Sequence, residues 1–161
     1  MKSIKLFLSV LSLSIGMIAC SQQKKISGNY TYQTECMGVE GDGSQTLKAY
    51  GTGRNYFDAS EQAKKNAVRD VIFKGIIEGR QECEKRPVLP EVNAAQKYED
   101  YFNRFFADGG EYTKYVNLKD ERIDRKLRER KGSREGVTQA VYVRVLRSEL
   151  KQKLIQDGIL K

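Results

Sequence analysis

Apolar positions recur along the chain with different periods, and each change of period marks an element. Residues 6–18 are mostly apolar, interrupted by three serines and a glycine, behind Lys2 and Lys5 and ahead of Ala19-Cys20. At about 13 residues the run is shorter than the roughly 20 needed to span a bilayer, so it reads as an export leader. A short polar stretch follows, with Gln22, Gln23, Lys24 and Lys25. Over 30–37 the pattern alternates, placing Tyr30, Tyr32, Thr34 and Cys36 on one side of an extended chain. Gly38, Gly41 and Gly43 interrupt it, Asp42-Gly43 being a turn pair, and 46–50 supplies a second strand of a hairpin.

The period then lengthens. Ala59, Ala63, Ala67 and Val71 recur every four residues, widened by Val68, Ile72, Ile76 and Ile77. This predicts an amphipathic helix whose alanine seam permits close approach to a sheet. Asp58 is the expected N-cap, with Glu61 completing a capping box and Gly79 near the end. Pro87 and Pro90 bracket a linker. Pro90 suits the first turn of a second helix carrying Val92, Ala95, Tyr98, Phe102 and Phe105, closed by Gly109-Gly110. That aromatic stripe reads as core.

Residues 115–118 open a strand, and 119–131 extend it as a long, basic, partly exposed strand up to a hairpin loop at 132–136. The strongest strand signal is 137–146, with Val137, Val141, Tyr142, Val143 and Val145. Ser148 is the expected cap of a last helix that turns Leu150 and Leu154 inward and ends at Gly158. The order strand-strand-helix-helix-strand-strand-helix predicts an α+β fold, an antiparallel sheet with helices packed on one face. The expected organisation is a leader over 1–19, a tether over 20–29 and a single domain over 30–161.

Composition changes the picture mainly by exclusion. The 161 residues contain no histidine, which removes the commonest general base and metal ligand and any triad built on one. Neither a cofactor nor a metal site is expected, and no carboxylate pair stands out for catalysis. Gly51-Thr52-Gly53 is not a dinucleotide loop, because Tyr56 stands where the third glycine belongs. The formal charge is +8, of which Lys2 and Lys5 belong to the leader. The candidate anion-binding surface is the basic run of Lys119, Arg122, Arg125, Lys126, Arg128, Arg130 and Lys131, interleaved with acids. A lysine-rich and arginine-rich edge strand also resists edge-to-edge aggregation.

Met17-Ile18-Ala19-Cys20 resembles a bacterial lipobox, which makes Cys20 the lipidation site and the membrane a partner through its lipid. Ser21 in place of aspartate implies, by resemblance to Gram-negative sorting signals, the outer membrane, on its periplasmic or surface side. Export makes nucleic acid an unsuitable partner, and no small-molecule substrate is expected. Cys36 and Cys83 remain. In an oxidising compartment they form one bridge if their Cα atoms come within about 7 Å, and otherwise stand as two half-buried thiols.

Gly51 and Gly53, the helix with Ala59, Ala63 and Ala67, and the late strand Ala140-Val141-Tyr142-Val143-Arg144-Val145 leading to Leu150 together resemble a family of small bacterial surface lipoproteins. These are grouped with the Helicobacter twenty-kilodalton membrane lipoprotein and the N-terminal domain of flagellar assembly protein T. The resemblance spans 46–159. It implies a compact α+β domain at the outer membrane with a structural or assembly role and no catalysis, acting through an envelope protein partner or self-association. The alternative function is binding of an anionic envelope polymer or lipid headgroups through the basic surface.

Overall fold

In the computed structural model, residues 33–119 and 136–161 are described. Strands β1 (Glu35–Val39) and β2 (Gln45–Gly53) form a hairpin as expected, but β1 starts at Glu35 and runs through Gly38 with an irregularity in register there, β2 runs on to Gly53, and Tyr30 and Tyr32 lie outside the described residues. Gly43, at φ +79°, donates its N–H to the Glu40 carbonyl, and the Asp42 carboxylate accepts the Ser44 N–H (3.0 Å) and hydroxyl (2.6 Å). Helix α1 (Tyr56–Arg69) follows and continues as a π-helical turn over Asp70–Lys74. Then come a short strand β3 (Glu78–Gly79), helices α2 (Ala94–Lys97) and α3 (Glu99–Phe105), and a 3₁₀ turn (Glu111–Tyr115). Strands β4 (Val116–Leu118) and β5 (Val137–Val145) and helix α4 (Arg147–Gln156) complete the described residues.

The α+β class stands, but the order does not: it is β-β-α-β-α-α-β-β-α, with helices packed against a five-stranded mixed sheet. Spatially the strands run β3-β1-β2-β5-β4, antiparallel except for the β1–β3 pair. β2 and β5 pair along nine residues each, from Gln45 opposite Val145 to Gly53 opposite Val137. Alternation then puts Leu47, Ala49, Val141, Val143 and Val145 on one face, all buried. Cys36 opposite Leu47 and Val116 opposite Val145 extend this face to both sides.

The alanine seam does what its spacing implies. Ala59, Ala63 and Ala67 are fully buried, and α1 lies so close to β2 that a Cβ on Gly51 would sit 2.1 Å from the Ala59 carbonyl oxygen. Only a residue without a side chain lets two backbones meet in this way. The cap differs from expectation. Asn55 is the N-cap: its side-chain oxygen accepts the Asp58 N–H at 2.9 Å, and its carbonyl accepts the Ala59 N–H. The turn at Gly53 delivers Asn55 to the free N–H groups first, leaving Asp58 inside the first turn.

The far end also differs. The helical run ends at Gly75 (φ +78°) rather than Gly79, and Ile77 is exposed. The π-helical turn closes with the Gly75 N–H on the Asp70 carbonyl, while the carbonyls of Val71 and Ile72 accept the N–H groups of Val88 and Leu89. The bracketed linker is therefore a packed strap that satisfies the helix end, with Val88 and Leu89 buried. Gly79 lies in β3 instead, so near Cys36 that a Cβ would sit 2.2 Å from its carbonyl oxygen.

The second helix is two short ones. Asn93 adopts left-handed backbone (φ +64°) and Tyr98 breaks the helical path, so Ala94 is buried while Val92 is 83% exposed. Phe102 and Phe105 do enter the core, with Phe73, Tyr101, Phe106 and Tyr115 around them. Phe73 and Phe102 meet edge to face at 4.7 Å. Gly109-Gly110 does not cap the helix, which stops at Phe105; the pair turns the chain into the 3₁₀ segment. Helix α4 starts after Leu146, with no side-chain cap from Ser148. Its start is set by the end of the sheet, where the Leu146 N–H donates to the Tyr115 carbonyl. Leu150 and Leu154 are fully buried as expected. The helix closes as a Schellman motif, with Gly158 at φ +71° and the Ile159 N–H on the Leu154 carbonyl. Among the described residues no helix is long and apolar enough to cross a membrane.

Candidate functional site

Cys36 and Cys83 form a disulfide, with Cα atoms 6.3 Å apart, both residues buried. β1 presents Cys36 inward opposite Leu47, and the chain after β3 brings Cys83 over it through Arg80, whose N–H donates to the Cys36 carbonyl. Of the two arrangements open to the sequence, the bridge is the one formed.

The other named positions fare unequally. Cys20 lies outside the described residues, as do Arg122, Arg125, Lys126, Arg128, Arg130 and Lys131. Lys119 is described, and it is already engaged. Its ammonium pairs with the Glu40 carboxylate and lies 3.1 Å from the Thr46 hydroxyl. Two residues along β5 from the Tyr142 carbonyl that accepts the Lys119 N–H, Arg144 pairs with Asp42 and donates to the Ser44 hydroxyl at 2.7 Å. The hydrogen bond from Lys119, then that from Thr46, holds Glu40 below the usual carboxylate range. The hydrogen bonds from Ser44 do the same for Asp42. The hairpin turn thus places an acid against each of these two cations.

A second arrangement was not visible in the sequence. The first turns of α1 and the Gly109 turn enclose a cleft of about 580 Å³ lined by Arg54, Phe57, Asp58, Glu61, Lys65, Asp108 and Tyr112, among others. Phe57 is 72% exposed. It falls off the buried Ala59–Ala63–Ala67 seam, and an aromatic ring on the wrong face of an amphipathic helix was the available signal. Arg54 pairs with Asp58 at 3.2 Å, and Lys65 reaches across to Asp108 at 2.6 Å while lying over the Tyr112 ring. Asp108 is held low by that lysine. Tyr112 is buried at the base, its hydroxyl 3.5 Å from Glu61, and burial followed by the Glu61 charge pushes its pKa up to about 12.

Each acid of this cleft has a cation beside it: Asp58 has Arg54, Asp108 has Lys65, and Glu61 has Lys64 at 2.5 Å. Among the described residues no three His, Cys, Asp or Glu side chains converge as a metal site. Compared with protein-family models, curated proteins and solved structures, the chain matches none.

Proposed function

We propose that this chain is a lipoprotein, anchored in the outer membrane through lipid on Cys20, whose folded part is a non-catalytic interaction or assembly module of a cell-envelope complex. The exposed Phe57 ring, ringed by ion pairs in a cleft, carries the reading. An aromatic residue beside arginine is the chemistry enriched at binding hot spots, and leaving it in water costs free energy that a partner recovers. The Cys36–Cys83 bridge supports an exported location, since such bonds persist in oxidising compartments. The 1–19 leader pattern points the same way, and the likeness to small surface lipoproteins adds the assembly role.

The test is photo-cross-linking in intact cells with the probe at position 57, against a control at Lys151, which is exposed on α4. Recurrent adducts to one set of envelope proteins, or to a second copy, at position 57 but not 151 are the expected result. Equal labelling at both positions, or none, would remove the cleft from the interaction. Adducts confined to lipopolysaccharide or phospholipid would favour the alternative, in which the 119–131 cations bind an anionic polymer or headgroups and binding weakens with salt.

A further inference from the structure

We draw no further inference here: the strongest candidate, the cleft between Arg54, Phe57 and Asp108 at the start of α1, belongs to the site already described, and among the described residues no second group beside its carboxylates points to a ligand.

Discussion

Removing the Cys36–Cys83 bridge, by Cys36→Ala with Cys83→Ala, is the perturbation whose size follows most directly from the fold. The bond spans 47 residues. Closing a loop of that length in the unfolded chain removes entropy worth about 4 kcal/mol at 25 °C. Domain stabilities run from roughly 5 to 15 kcal/mol, so the loss is a large fraction of the whole. In thermal unfolding it corresponds to a fall in Tm of roughly 15 °C for a domain of this size. The loop contains β2, all of α1, its π-helical turn and β3, so the bond ties the end of that run, just past β3, back to β1. Both sulfurs are buried, Cys36 at 1% and Cys83 at 4% exposure. A reductant must therefore wait for the structure around the bond to open, and reduction of the native protein is expected to be slow and to quicken with urea. The assay is urea and thermal unfolding of the soluble part, followed by circular dichroism, for the oxidised wild type and the double variant. A loss below about 1 kcal/mol would refute the reasoning. So would rapid alkylation of both cysteines in the untreated native protein.

Gly51→Ala should be among the costliest small substitutions, by about 3 kcal/mol, because the added methyl meets backbone atoms of Ala59 and Ala63 that no rotamer change can move; an unchanged urea midpoint would mean that α1 sits farther from β2. Asn55→Ala should cost about 1 kcal/mol of stability and Asp58→Ala clearly less, and the reverse ranking would restore Asp58 as the cap. Glu40 and Asp42 have folded pKa values below their unfolded ones, so their contribution is present above about pH 4 and disappears as pH falls through the depressed values. The double variant Glu40→Gln, Asp42→Asn should accordingly show a flatter decline in Tm below about pH 4 than the wild type, and parallel declines would dissolve the pairing with Lys119 and Arg144.

What could be read in the sequence about this protein is what a local period records. The alanine seam of α1, the Val137–Val145 strand and the Leu150, Leu154 and Gly158 pattern of α4 all appear where spacing put them. Each depends on residues within a turn or two of one another, so the pattern and the structure report the same short-range sterics and burial. The boundaries depended on the rest of the fold. The helical run stops at Gly75 because Val88 and Leu89, far along the chain, bring N–H donors to the carbonyls of Val71 and Ile72. α4 starts where it does because Tyr115 holds Leu146 at the sheet's end. The same holds for the chemistry. Nothing in the spacing of Cys36 and Cys83 requires them to meet; the parallel β1–β3 contact brings them together. The charge of Lys119 looked available in the sequence and is answered by Glu40 from the β1–β2 turn, which also sets Asp42 against Arg144. Phe57, Lys65 and Asp108 become one cleft only when the Gly109 turn comes to rest beside α1. Hydrophobic period is a one-dimensional property, whereas pairing of distant cysteines, charges and helix ends is set by which surfaces the packed core leaves adjacent.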